Sequence, residues 1–149
     1  SLAYKEKTMS TKDYISYEEV IKDCKKLAEA LKNCEINKII AVTRGGMVPA
    51  CLIAELLNIR QVGSVALASY DEENRSELKL LSAPNLPIDE KTLFIDDLYD
   101  SGSTYRYLKH NYPQAKCAVV YTKEPTADID FPAISKDKNL WLVFPWEFE

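Results

Sequence analysis

Residues 93–105 read LFIDDLYDSGSTY, and this stretch decides the fold. Its first three residues are apolar and predict a short buried strand, as expected for a strand that is covered on both faces of a parallel sheet. Two adjacent carboxylates follow at Asp96 and Asp97, then a third at Asp100 and a run of small hydroxyl residues before a helical pattern. The stretch therefore predicts a strand that delivers acid groups, followed by a loop that opens onto a helix N-terminus.

Outside this stretch the chain alternates between helix and strand patterns. Ser16 and Glu19 form a capping box before an apolar stripe at helical spacing over residues 17–33. The remaining patterns predict strands over residues 38–42, 61–70 and 116–121, and helices that begin near residues 49 and 104. This order predicts an α/β fold: a doubly wound, mostly parallel sheet flanked by helices.

Length and composition are those of a single-domain protein. The 149 residues are expected to form one domain over residues 1–149, of which 1–12 are unpatterned and are expected to be flexible or partly vector-derived. The net charge of −4 disfavours a sequence-independent nucleic-acid binder. The four cysteines form no C-x-x-C pair, and Cys51 and Cys117 lie in apolar contexts that predict burial. We expect a cytoplasmic protein with at most peripheral membrane association.

Three polar loops directly follow predicted strands, at residues 43–46, 96–104 and 122–123. In open α/β sheets, ligands bind beyond the carboxyl ends of the strands. We therefore expect the three loops to build one site.

The loop at residues 100–104 suits a phosphate group. Its glycine lets the backbone approach a ligand, its hydroxyls donate, and the N–H groups that open the next helix favour an anion. A capped turn without a ligand is the alternative. Asp96 and Asp97 face opposite ways if the pleat continues, and such a pair suits ribose hydroxyls or Mg²⁺. Phosphorelay receiver domains also carry an acidic pair, but there it follows the first strand, and here it follows about the third.

Two further segments could bind anions. Arg44 and Gly45 follow a predicted strand and suit a pyrophosphate group, although a plain strand–helix turn would look the same. The charged residues 71–79 could form a mobile lid that brings Arg75 or Lys79 over a polyphosphate.

Two residues near the C-terminal end suit a planar ligand. Lys123 follows a predicted strand at the same edge and could donate to a carbonyl group. Trp141 could stack on a heterocycle, and core packing is the alternative interpretation.

Together these loops resemble those of the type I phosphoribosyltransferases. Residues 93–104 match that family's signature for 5-phosphoribosyl-1-pyrophosphate (PRPP): an apolar strand, two acids, two residues, Asp, a small residue, Gly, a small residue and Thr. From about residue 14 onward the chain is most similar to the short bacterial xanthine–guanine phosphoribosyltransferases. Besides the signature, the similarity is carried by IAVTRGGMVP at 40–49, SYD at 69–71, ELK at 77–79, Trp141, and PWE at 145–147.

The resemblance implies the type I phosphoribosyltransferase fold, with a small hood formed mainly by the C-terminal part. It implies purine salvage, in which N9 of guanine, xanthine or hypoxanthine displaces pyrophosphate from PRPP and gives GMP, XMP or IMP. It also implies Mg²⁺ as the cofactor, no nucleic-acid partner, and a homotetramer or dimer.

The resemblance further implies a role for each site residue. Asp96 and Asp97 would hold the ribose, Asp97 would bind Mg²⁺, and Asp100 would be catalytic through the proton at purine N7. The other implied roles are 5′-phosphate binding by Asp100, Ser101, Gly102, Ser103 and Thr104, pyrophosphate binding by Arg44, Gly45 and Arg75 with an unusual peptide geometry, and purine binding by Lys123, Trp141 and the Leu142 backbone.

The sequence departs from the family pattern at two places. Arg75 lies one position earlier than the arginine of close relatives, and Ser101 and Ser103 stand where Thr and Gly or Lys are usual. Two alternatives stay open: a hypoxanthine-preferring or adenine-specific enzyme, and a non-enzymatic regulator that senses PRPP or nucleotide. Lys123 bears on the first, since a donor to a 6-oxo group should reject a 6-amino group.

Overall fold

The structure is a computed structural model that describes residues 11–69, 77–125 and 127–148. Within these residues the chain alternates between strands and helices. The elements in chain order are β1 (Lys12–Tyr14), α1 (Tyr17–Leu31), β2 (Lys38–Thr43), α2 (Met47–Leu57), β3 (Gln61–Ser69), β4 (Leu78–Ser82), β5 (Thr92–Tyr99), α3 (Ser103–Asn111), β6 (Lys116–Thr122), β7 (Ile134–Ser135) and β8 (Trp141–Val143).

The main sheet has six strands in the order β4-β3-β2-β5-β6-β7. Every neighbouring pair is parallel except the hairpin of β3 and β4. β5 therefore lies at the centre between β2 and β6, with Ile40 opposite Phe94 and Phe94 opposite Cys117. The predicted mostly parallel sheet is confirmed.

Helices cover both faces of this sheet. Successive strand residues point to opposite faces, and the central strands are apolar on both, so each face needs a covering helix. Ile39 and Leu93 belong to the core beneath α1 and α2. Their chain neighbours Ile40 and Phe94 belong to the core beneath α3. This alternation confirms the predicted doubly wound arrangement.

A second, two-stranded parallel sheet joins the two ends of the described chain. β1 pairs with β8, so that Lys12 lies opposite Trp141 and Tyr14 opposite Val143. The sequence patterns predict neither strand, because three residues are too few to show a period. Lys12 also falls in the segment expected to be flexible, of which residues 1–10 lie outside the described residues. We call this small sheet the hood.

Two predictions about individual side chains are met only in part. The predicted capping box forms only in part: Glu19 N–H donates to Ser16 Oγ at 3.0 Å, but the Glu19 carboxylate accepts from Lys136 at 2.9 Å. Cys117 is buried as predicted, whereas Cys51 is exposed, because Ala50 and other residues of α2 take the core-facing side.

Among the described residues, no helix is both long and apolar enough to cross a bilayer.

Candidate active site

The three predicted loops do meet at one edge of the main sheet. β2, β5 and β6 are parallel neighbours, so their carboxyl ends lie side by side. The Lys123 N–H donates to the Tyr99 carbonyl at 2.9 Å, which ties the end of β6 to the end of β5. The acids differ from the sequence prediction, because β5 continues through Asp96 and Asp97 to Tyr99 instead of stopping before them. The pair is therefore held by the sheet rather than by a loop.

Asp96 and Asp97 open onto different spaces, as the pleat predicts. Asp96 lines a cavity of about 90 Å³ beside the loop at residues 100–104. Asp97 lines a larger cleft of about 1010 Å³, together with Arg44 and Gly45. The two acids remain in contact, since the Asp97 N–H donates to Asp96 Oδ1 at 2.8 Å. One pair of acids thus borders two adjoining spaces.

Both carboxyl groups of the pair are harder to ionise than ordinary ones. Burial, and then the charge of Asp97, raise the pKa of Asp96 well above its usual range. Burial also raises the pKa of Asp97, and the charge of Glu147 adds to this rise. A cation or a set of hydroxyl donors at this place would relieve the repulsion and favour the charged forms.

The turn after β2 is built around Asp97. A Cβ added to Gly45 would lie 2.3 Å from Asp97 Oδ2, so only glycine lets the acid occupy this position. The preceding peptide, Thr43–Arg44, is cis, which is the kind of unusual peptide geometry that the resemblance implies for this turn. Arg44 is exposed at the cleft. The cleft therefore offers a cation and a carboxylate next to each other.

The loop after β5 has the geometry of an anion site. Gly102 is the N-cap of α3 and has φ = 84°, in the left-handed region that favours glycine. The Ser101 and Ser103 hydroxyls lie 2.9 Å apart, and the Ser103 N–H points to Ser101 Oγ at 3.3 Å. The first turn of α3 carries no acidic residue, so no carboxylate of that turn repels an anion at the helix N-terminus. Thr104 and Asp100 also line the 90 Å³ cavity.

Lys123 and Trp141 lie together, although Lys123 directly follows β6 of the main sheet and Trp141 begins β8 of the hood. The Lys123 side chain is buried, and its Nζ lies 5.7 Å from the centre of the Trp141 ring. Trp141 is partly exposed and begins β8, where its backbone N–H donates to the Thr11 carbonyl at 2.9 Å. Leu142 follows it and is buried. Partial exposure fits a stacking face for a planar ligand better than core packing does.

Some predicted residues lie outside this picture, and one was missed. Arg75 and most of the predicted lid fall at residues 70–76, outside the described residues. Glu147 received no role from the sequence, although PWE was part of the resemblance. It lines the cleft with Asp97, and its Oε1 accepts from the Phe144 N–H at 2.8 Å. Only the three-dimensional fold brings residue 147 to residue 97.

Comparisons with known proteins place this chain in a family. A family model described as a phosphoribosyl transferase domain matches residues 10–149. The chain is 38% identical over 139 residues to xanthine-guanine phosphoribosyltransferase of Idiomarina loihiensis, covering 90% of this chain and 86% of that protein. It is 36% identical over 141 residues to the protein of the same name from Vibrio atlanticus, covering 93% and 91%.

A solved structure gives the same result for the fold. Purine phosphoribosyltransferase from Pyrococcus horikoshii superposes with a TM-score of 0.78 at 23% identity, covering 93% of this chain and 95% of that chain. The family model and the two relatives each cover most of the chain. This protein belongs to the phosphoribosyltransferase family.

Proposed function

We propose that this protein is a purine salvage enzyme that transfers the 5-phosphoribosyl group of PRPP to N9 of a 6-oxopurine. The products are the purine nucleotide and pyrophosphate. One observation carries the proposal: the carboxyl edge of β2, β5 and β6 gathers an anion loop, a partly buried acid pair, an arginine turn and a buried lysine beside a partly exposed indole. Each of these groups suits a different part of the two substrates.

The phosphoribosyl group fits the centre of the site. The 5′-phosphate takes the loop of Ser101, Gly102, Ser103 and Thr104 at the N-terminus of α3, where hydroxyls, amides and the helix dipole favour an anion. The ribose hydroxyls lie against Asp96 and Asp97, two residues of β5 before this loop. The acid pair would also stabilise the positive charge that develops at the anomeric carbon in a loose transition state.

The pyrophosphate group fits the 1010 Å³ cleft. Arg44 and the backbone at Gly45 face the departing charge. Hard carboxylate oxygens from Asp97 and Glu147 suit Mg²⁺, which proteins often bind through one or two carboxylates together with substrate phosphates. Bound Mg²⁺ would offset part of the charge of the leaving group.

Asp100 is the residue we propose for the proton transfer. It lies between the acid pair and the anion loop, and it lines the same cavity as Asp96. From there its carboxylate would accept or share the purine N7 proton while N9 attacks the sugar. Asp100 thus takes part in the chemistry, besides bordering the 5′-phosphate.

The base fits the space between Lys123 and the hood. The Lys123 ammonium would donate to the 6-oxo oxygen, Trp141 would stack on the ring, and the Leu142 backbone would meet the 2-position. A 6-amino group cannot accept from Lys123, so adenine should be a poor substrate. This argues against an adenine-specific enzyme, while guanine, xanthine and hypoxanthine all carry the 6-oxo group.

Turnover assays test this proposal directly. The protein with PRPP and Mg²⁺ is expected to convert guanine, xanthine or hypoxanthine to the nucleotide with equimolar release of pyrophosphate, and kcat/KM for each base ranks the three. A failure to turn over any 6-oxopurine would contradict the proposal. Binding of PRPP or nucleotide without turnover would favour the non-enzymatic regulator instead.

We further propose that the enzyme acts in the cytoplasm as a homo-oligomer, either a tetramer or a dimer. The described residues include exposed apolar side chains that a subunit interface could cover, among them Met47, Leu56 and Leu81, which are 54%, 43% and 60% exposed. Light scattering of the purified protein measures the mass, and a monomeric mass at micromolar concentration would contradict this part of the proposal.

A further inference from the structure

Arg106 lies beside the anion loop, in the first turns of α3. Side chains on a helix lean toward its N-terminus, and that direction leads from Arg106 back over Gly102. The position that a Cβ on Gly102 would occupy is 2.5 Å from Arg106 Nη1 and 2.3 Å from the Tyr99 hydroxyl. A guanidinium and a phenol therefore meet over the central glycine of the loop.

The Arg106 guanidinium is available for a ligand. In the described parts of the chain no ion pair engages it, whereas Lys109, one turn later, pairs with Asp130 at 2.8 Å. Arg106 is exposed and lines a pocket of about 430 Å³ that adjoins the cavity of the anion loop, since Tyr99 and Tyr105 line both. A ligand in the loop would thus have this free cation at its outer side.

The chemistry of the pair matches a phosphate monoester. Arginine presents several N–H donors in a fixed planar fork, and its hydrogen bonds to phosphate oxygens are charge-assisted. The phenol of Tyr99 adds one more donor at the same place. A side chain at position 102 would displace both groups, so the glycine that opens the loop to the phosphate also admits the guanidinium.

We propose that Arg106, assisted by the Tyr99 hydroxyl, is a further binding residue for the 5′-phosphate of PRPP and of the nucleotide product. The inference rests on the proposed function, because it takes the 5′-phosphate to occupy the loop at residues 101–104. Arg106 closes the outer side of that site, while the loop amides and hydroxyls hold the inner side. It acts on the phosphoribosyl group and makes no contact with pyrophosphate.

Two ligands that each contain one half of PRPP test this inference. Calorimetry measures the Kd of ribose 5-phosphate and of pyrophosphate, with Mg²⁺, for the unmodified protein, Arg106→Gln, Arg106→Lys and the control Arg60→Gln. Arg60 is an exposed arginine between α2 and β3. Arg106→Gln is expected to weaken ribose 5-phosphate binding about tenfold or more and to leave pyrophosphate binding unchanged. Arg106→Lys should retain part of the affinity that Arg106→Gln loses, and Arg60→Gln should change neither Kd. In steady-state kinetics of Arg106→Gln, the KM for PRPP should rise by a larger factor than kcat falls.

Thr104→Ala separates the inference from the proposed function. If Thr104→Ala weakens ribose 5-phosphate binding and Arg106→Gln does not, the inference about Arg106 is wrong and the loop still holds the phosphate. If neither substitution weakens it, the placement of the 5′-phosphate is wrong as well. Equal weakening of both ligands in Arg106→Gln would mean a general charge effect and would also overturn the inference.

Discussion

The carboxylate of Asp97 occupies the space that a side chain at Gly45 would fill, with Oδ2 only 2.3 Å from the position of a Cβ there. The acid of the central strand and the turn of the neighbouring strand are therefore built as one unit. We predict that Gly45→Ala displaces the Asp97 carboxylate and lowers kcat/KM for PRPP at least about 100-fold, the loss that a misplacement near 1 Å can cause. Binding of ribose 5-phosphate should change less than binding of pyrophosphate. Steady-state kinetics and calorimetry measure both, and an unchanged kcat/KM would contradict the packing argument.

Asp100 should affect the rate far more than it affects PRPP binding. Asp100→Asn keeps the size of the side chain but removes the proton acceptor, so kcat should fall by roughly 10²–10⁴ while the Kd of PRPP changes little. Rapid-quench kinetics with calorimetry separates the two effects. The exposed Asp137→Asn is the matched control and should behave like the unmodified protein. An unchanged rate in Asp100→Asn would remove this residue from the chemistry.

Lys123 should decide between 6-oxo and 6-amino purines. Lys123→Met keeps most of the buried stem but removes the donor, so kcat/KM for guanine should fall about 10–100-fold while the low activity with adenine stays the same. Lys116→Met, at the opposite end of β6, serves as the control. Melting temperatures of the two variants show whether both are folded. Intact discrimination in Lys123→Met would point to a different specificity group.

The raised pKa of Asp96 predicts a pH-dependent stability of the Mg²⁺-free protein. A carboxyl whose pKa is higher in the folded chain contributes most stability below its unfolded pKa, roughly 3.9, and this contribution is lost as pH rises through the raised value. Asp96→Asn removes this loss, so its melting temperature should exceed that of the unmodified protein at pH 7.5 by about 2–4 °C and by much less near pH 4.

Scanning calorimetry at the two pH values tests this expectation. The exposed Asp128→Asn should show no such dependence on pH. A difference in melting temperature that is the same at both pH values would mean that the substitution acts through packing and not through charge.

A buried hydrogen bond between β6 and α1 should contribute to stability. The Tyr121 hydroxyl donates to Asp23 Oδ2 at 2.7 Å, and both side chains are buried. Tyr121→Phe leaves Asp23 without this donor and should cost about 1–3 kcal/mol of unfolding free energy. Tyr17→Phe, on an exposed ring, should cost much less. Urea unfolding measures both, and a stability for Tyr121→Phe equal to that of Tyr17→Phe would contradict this account.

The sequence allowed the central sheet and its functional edge to be predicted, because Leu93–Ile95 and Ile39–Val42 are buried on both faces and show it as continuous apolar runs. It could not show that β5 continues through the acids. That extension depends on pairing with β6, where Leu98 lies opposite Tyr121 and Tyr99 opposite Thr122. The polar residues Asp96 and Asp97 suggest that the strand ends before them, but pairing with β6 keeps this part of the chain extended.

The hood and Glu147 were hidden from sequence reasoning for a related reason. Lys12 and Trp141 pair across most of the length of the chain, and neither three-residue strand has a period of its own. Glu147 reaches Asp97 only after the C-terminal part has folded back over the sheet edge. The exposure of Cys51 could not be predicted either, since its apolar neighbours in the sequence do not show which side of α2 faces the core.

Because β1 pairs with β8, the proposed binding groups are distributed over two separate sheets. The six-stranded sheet carries the groups assigned to sugar, phosphate and pyrophosphate, whereas the two-stranded sheet carries Trp141 and Leu142. Substitutions in β1 can therefore shift the Trp141 ring, the proposed stacking face for the purine, through backbone hydrogen bonds, without changing a residue that is proposed to bind PRPP. The choice of base can change in such a protein while the transfer chemistry stays constant, and Lys123, which spans the gap to the Trp141 ring, limits how far that change can go.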